Sequence, residues 1–130
     1  MKMSELYSTA DWKSEKHVPV IEVSDVVKKS EKTLVTVSVG KEIPHPNTTE
    51  HHIRWIQLFF LPEGEKYPYE IGKIEFNAHG ESIKGANSST IYTEPYGVFQ
   101  FKTEKPGKLI ATSLCNIHGL WKNEKEVKVE

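Results

Sequence analysis

Apolar and polar residues alternate with a period of two along much of this chain. Val35, Val37 and Val39 alternate with Thr36 and Ser38, and Gly72, Ile74, Phe76 and Ala78 alternate with Lys73, Glu75 and Asn77. That period turns one face of a strand to the core and the other to water, so strands are predicted at residues 33–39 and 72–78. Residues 53–60 become apolar on both faces toward their end, which predicts a central strand. Residues 18–23 predict a first strand, bent or at a sheet edge because Pro19 has no N–H for the ladder. Further strands are predicted at 91–93, 98–103, 109–114 and 127–129. Turns are predicted at Pro62-Glu63-Gly64-Glu65 and at Lys105-Pro106-Gly107-Lys108. Ahead of them only a short helical turn is expected, near residues 4–7. Seven or so short strands at this spacing, with 127–129 able to close the sheet and no amphipathic helix of useful length, predict an all-β fold: a seven-stranded antiparallel immunoglobulin-like β-sandwich.

The length of 130 residues fits one compact domain, 1–130, around one core. No apolar run approaches the length of a membrane span, and no cationic-then-apolar leader opens the chain, so a soluble, cytoplasmic protein is expected. The 17 basic and 18 acidic residues nearly cancel, and the basic ones are scattered lysines with Arg54 the sole arginine. That excludes a nucleic-acid footprint. A single cysteine cannot form an intrachain disulfide, and the reducing compartment this suggests also suits a metal thiolate.

The chemistry gathers around Cys115, three positions ahead of His118. A Cys-x-x-His step lets one turn present a sulfur and an imidazole nitrogen to one metal ion, two ligands that cannot close a site. His17, His45, His51 and His52 lie in two other compact clusters far away in sequence, as expected when a scaffold gathers loop residues around a metal. A lone cysteine is more often a small core residue, but the Cys-x-x-His step and the distant histidines overturn that reading for Cys115. His45 is stiffened by Pro44 and Pro46, which suits a preset ligand. His51 and His52 are adjacent, so in an extended chain they point to opposite faces and one reaches the metal; His51 is the choice. His17 follows Glu15 and Lys16, a pairing that on its own describes a solvated face. His79 stands alone and reads as an ordinary histidine.

His17, His45, His51, His118 and Cys115 make five candidate ligands, one more than a closed structural zinc site holds. Around an octahedral ion, five leave one position open. A blue-copper domain needs two histidines and usually an axial methionine, and the only methionines are Met1 and Met3. Iron with four imidazoles and one thiolate fits better.

Glu15-Lys16-His17-Val18-Pro19, the run from His45-Pro46-Asn47 to His51-His52-Ile53, and Cys115-Asn116-Ile117-His118-Gly119-Leu120-Trp121 closely resemble the superoxide reductases of the one-iron neelaredoxin class, in the desulfoferrodoxin family. The resemblance spans nearly the whole chain. It implies one iron ion per chain (Fe2+/Fe3+), with His17, His45, His51 and His118 equatorial, Cys115 axial and the sixth position free in the ferrous state. It also implies Glu15 as a ligand after oxidation and Lys16 beside the open position as the catalytic cation. The implied activity is one-electron reduction of superoxide to hydrogen peroxide, with a rubredoxin-like protein as electron donor. A second iron is not expected, because the rubredoxin-like four-cysteine unit of two-iron relatives is absent. The competing class is a cupredoxin-like or iron electron-transfer protein without substrate turnover, against which the open position and its nearby cation argue. A homo-oligomer, tetramer or dimer, is the expected assembly.

Overall fold

A computed structural model describes residues 1–130, with a 3-10 turn at Met3–Leu6 followed by nine strand segments. They are β1 (Tyr7–Ser8), β2 (Val20–Glu22), β3 (Val26–Val27), β4 (Thr33–Ser38), β5 (Ile53–Pro62), β6 (Tyr69–Glu75), β7 (Tyr96–Phe101), β8 (Gly107–Cys115) and β9 (Gly119–Val129). One sheet runs β1-β9-β8-β5-β6, with β3 also on β9; the other runs β2-β4-β7. The fold is all-β, in two sheets. It departs from a purely antiparallel arrangement at two places, since β1 and β3 each pair parallel with two residues of β9. Both cover backbone that would otherwise be left open at a sheet edge.

Alternation placed β4 well, and its residues Thr33, Val35 and Val37 are buried while Leu34 is exposed. β5, β6 and β8 form one continuous ladder, with Phe60 opposite Tyr69 on one side and Leu109 on the other. β6 therefore begins three residues before the predicted 72–78, because its first turns of ladder carry the exposed Tyr69 and Glu70, which leave no apolar signature. β7 likewise starts earlier than predicted, at Tyr96. Residues 91–93 are not a strand; Tyr92 makes only an isolated bridge with His79. β9 is the largest departure. It pairs with β8 from Cys115↔Gly119 to Gly107↔Val127, although its middle, Lys122 to Glu126, is almost wholly polar.

Fifteen buried residues from both sheets make one core cluster. Ile56 and Leu58 of β5, Leu109 and Ala111 of β8, and Val35 and Val37 of β4 are fully buried within it. Each buried aliphatic side chain contributes about 1.5–3 kcal/mol relative to exposure. The inward row of β8 continues through Ser113 to Cys115, both fully buried, so the period that packs the core also aims the cysteine inward at the strand's last position. Opposite this end, the β5 register slips between Ile53 and Trp55. Such a bulge re-aims neighbouring residues beside a functional site.

Candidate metal centre

Three connections meet at the end of β8. The segment before β2 brings His17, the β4–β5 connection brings His45 and His51, and the β8–β9 turn brings Cys115 and His118. Donor atoms of His17, His45, His51 and Cys115 all lie within 4.8 Å of one another. His118 turns its Nδ1 to the same point, 3.2 Å from His17 Nε2 and 3.8 Å from Cys115 Sγ. The imidazoles form a square. Ring centroids are 4.8 Å apart for His17–His45, 4.7 Å for His45–His51, 5.0 Å for His51–His118 and 4.8 Å for His118–His17, with the His17–His51 diagonal at 6.5 Å.

Each donor is oriented by what lies behind it. Glu15 Oε1 accepts the His17 Nδ1–H at 2.6 Å and also the His17 backbone N–H at 2.7 Å. The Ser113 hydroxyl donates to the His17 carbonyl, and the Trp121 ring stacks on the His17 ring at 4.8 Å and 11°. Pro46 C=O accepts the His45 Nδ1–H at 2.6 Å. The β4–β5 connection can pass close to the sheet because Gly40 has φ +89° and no Cβ; a Cβ there would lie 2.7 Å from the His45 nitrogen. The His118 backbone N–H donates to Cys115 Sγ at 3.3 Å, and the Trp121 indole donates to the His118 carbonyl at 3.2 Å.

These bonds fix tautomers. With Nδ1–H donated outward in His17 and His45, the lone pair sits on Nε2 and faces inward. His45 Nε2 and His51 Nε2 are buried without any hydrogen-bond partner. Buried polar atoms are almost always satisfied, so two orphaned lone pairs converging on a thiol and two further nitrogens fit a cation. Burial pushes the His45 pKa down to about 4, and the charges of His17, His51 and Lys16 act in the same direction against its bond to Pro46. Burial also lowers His51, with His118, His17 and Lys16 adding to it. Both are thereby held neutral, the form that binds metal. Burial works against ionising Glu15, but its bonds to His17 outweigh this and hold its carboxyl below the ordinary 4.5.

All five ligand candidates from the sequence converge, and His17 is buried rather than part of a solvated face. Glu15 is placed otherwise than as a ligand, since its carboxylate braces the outer nitrogen of His17. Lys16 is half-buried, and its charge acts on both His45 and His51. His52 turns away and stacks on His79, ring centroids 3.5 Å apart and 7° from parallel. Sequence reasoning missed the bracing roles of Trp121, Ser113 and Gly40. Trp121, three residues after His118, carried the one available hint.

Fold and donor set together define a β-protein with a nitrogen-and-sulfur site suited to a single iron. The desulfoferrodoxin family model matches residues 9–124, and the chain belongs to that family. It is 61% identical over 122 residues to a superoxide reductase of Pyrococcus furiosus, covering 94% of this chain and 96% of the relative. It is 56% identical over 130 residues to neelaredoxin of Megalodesulfovibrio gigas, covering the whole of both. The structure of the reduced superoxide reductase (neelaredoxin) of Archaeoglobus fulgidus superposes with a TM-score of 0.89 at 61% identity, over 95% of this chain and 98% of the other.

Proposed function

We propose that this protein is a superoxide reductase whose single iron is held by His17, His45, His51, His118 and Cys115. The square of four imidazoles with two orphaned Nε2 atoms, closed on one side by the buried sulfur, carries this reading. Iron bound there supplies one electron, which with two protons converts superoxide to hydrogen peroxide. The protein's own residues prepare that step. His45 and His51 stay neutral through burial, so the donor set adds only the thiolate charge to the ion. The Cys115 sulfur accepts the His118 N–H, which moderates its electron donation. His118 is exposed, so the cluster borders solvent and a small anion can approach. The Lys16 charge acts on both His45 and His51, and its ammonium would draw the anionic substrate in. Glu15 accepts the His17 Nδ1 proton, and its carboxylate, a hard oxygen donor, would suit an oxidised iron as a further ligand.

The electron donor is inferred from the family resemblance, and the domain, fold plan and location from the length, strand spacing and composition of the chain. A rubredoxin-like donor returns the electron. We read residues 1–130 as one domain with an immunoglobulin-like plan, a reading supported by seven strands of three or more residues in two sheets. A chain with a single cysteine has no need of an oxidising compartment, in keeping with a cytoplasmic location, and no helix is long and apolar enough to cross a membrane. Exposed Leu34, Tyr96 and Val98 on the β2-β4-β7 sheet support a homo-oligomer, dimer or tetramer.

Metal analysis of protein produced with adequate iron tests the proposal, with one iron per chain expected. Mixing the reduced protein with superoxide should yield one hydrogen peroxide per superoxide and no dioxygen. Cys115→Ser should fold but lose the thiolate charge-transfer band and the reaction. Stoichiometric zinc or copper, or dioxygen release, would overturn the proposal.

A further inference from the structure

The loop between β6 and β7 reaches back over the β4–β5 connection, to which it is joined through Asn47, Thr49 and, with the most bonds, Asn87. Asn87 has φ +54°, a left-handed conformation that asparagine tolerates better than most residues. From there it makes four hydrogen bonds to two consecutive residues. The Thr49 N–H donates to Asn87 Oδ1 at 2.9 Å, and the Asn87 N–H donates to Thr49 Oγ1 at 3.0 Å. Asn87 Nδ2 donates to both carboxylate oxygens of Glu50, each at 2.9 Å. The Thr49 hydroxyl passes the tether on to the His79 carbonyl at 2.7 Å.

The next residue is His51. Its N–H donates to Thr48 Oγ1 at 3.0 Å, and on its far side the His52 N–H donates to Asn116 Oδ1 at 2.9 Å. Asn116 Nδ2 closes the bracket by donating to the Glu50 carbonyl at 2.8 Å. The backbone around His51 is thus held from two directions, whereas its inward Nε2 has no hydrogen-bond partner at all. Where that nitrogen sits depends on the backbone beneath it.

We propose that Asn87 is a positioning residue for His51, fixing through Thr49 and Glu50 the reach of His51 Nε2 toward the metal. This rests on the reading of His51 as a ligand. Groups that orient ligands typically change metal affinity by about 10- to 100-fold when removed.

A polarity swap tests it. Asn87→Asp keeps an acceptor for the Thr49 N–H and a residue type that tolerates positive φ, but sets a carboxylate against that of Glu50. Adding Glu50→Gln restores the pair with the donor on the other side. Transfer of ferrous iron from each loaded protein to excess ferrous chelator would be timed without oxygen, beside the melting temperature of each metal-free form. Asn87→Asp should release iron about 10-fold faster, and the double variant should return to within about 2-fold of wild type. Wild-type release from Asn87→Asp, whatever its melting temperature, would overturn the proposal and leave Asn87 as a loop tether. So would a double variant no slower than the single. His51→Ala is the control: if it kept iron as wild type does, His51 itself would not be a ligand. Fast release from His51→Ala alone would count against Asn87 only.

Discussion

Adjacent histidines end in different chemistry although the chain is bent rather than extended there, the Thr48 N–H donating to the His51 carbonyl at 2.9 Å. His51 points its ring into the donor square, and His52 sends its ring to the stack on His79. His79 is no solvated histidine; its Nε2–H donates to the Phe76 carbonyl at 2.6 Å and the residue is 4% exposed. Burial holds its pKa below the ordinary 6.5, with the His52 charge adding to the effect and the bond to Phe76 opposing it. Above 6.5 His79 is neutral in both folded and unfolded chains. As pH falls from 6.5 through the folded pKa, the unfolded chain takes a proton that the folded chain refuses, so stability drops. Denaturant midpoints of the metal-free protein should therefore fall between pH 7.5 and pH 5. In His79→Gln, less stable at pH 7.5, the fall should be smaller, and equal slopes would refute the assignment. The candidate ligands were legible in sequence because unusual residue types announce themselves. The bonds behind them were not. Glu15 was expected at the site as a ligand, but its bracing of His17 shows only once the chain folds it back, and Asn87 and Asn116 act only across loops distant in sequence.

Strand by strand, legibility followed burial. β4 was visible as alternation and β5 as a run apolar on both faces, and with β8 they put apolar side chains on the core, whereas β9 and the start of β6 are held mainly by ladder bonds to a strand already in place. Propensity says little about a strand whose side chains mostly face water. β8 also separates stability from function along its length. Its first residue, Gly107, lies opposite Pro62 of β5, and a Cβ there would collide with the Leu61 carbonyl and come within 2.9 Å of Pro62 Cα. Cys115, its last residue, lies at the opposite end of the strand, about 27 Å away at a strand's rise per residue. Gly107→Ala should lower unfolding free energy by about 1–3 kcal/mol through overpacking. Chemical denaturation would measure that cost. Iron content per folded molecule and the thiolate band should stay as in wild type, and loss of either would show that strain travels the length of β8.

At the scale of the whole molecule, sequence patterning predicted strands and a sandwich but neither the order β1-β9-β8-β5-β6 nor the parallel edges, because those pairings join residues far apart in the chain. Charge shows the same limit. A net charge of −1 gives an anionic substrate no general attraction, so any steering must come from where the cations lie. Lys16 is one lysine among sixteen by composition, yet its charge acts on His45 and His51 together. Lys13, three residues earlier, instead lies with its ammonium 5.7 Å from the Trp12 ring and is exposed. An ammonium held beside the opening would focus the local field on the approaching anion and raise the encounter rate by about 10-fold or more. Salt screens this over about 10 Å at 0.1 M ionic strength, so the rate should fall as salt is added. Pulse-radiolysis rates for Lys16→Ala and Lys13→Ala across a series of salt concentrations separate position from charge. Lys16→Ala should slow the bimolecular step about 10-fold at low salt and flatten its salt dependence, with iron content and thiolate band retained. Lys13→Ala removes the same unit of charge and should leave both nearly unchanged. Equal slowing in the two variants would mean that net charge, and not the placement of Lys16, governs the approach of superoxide.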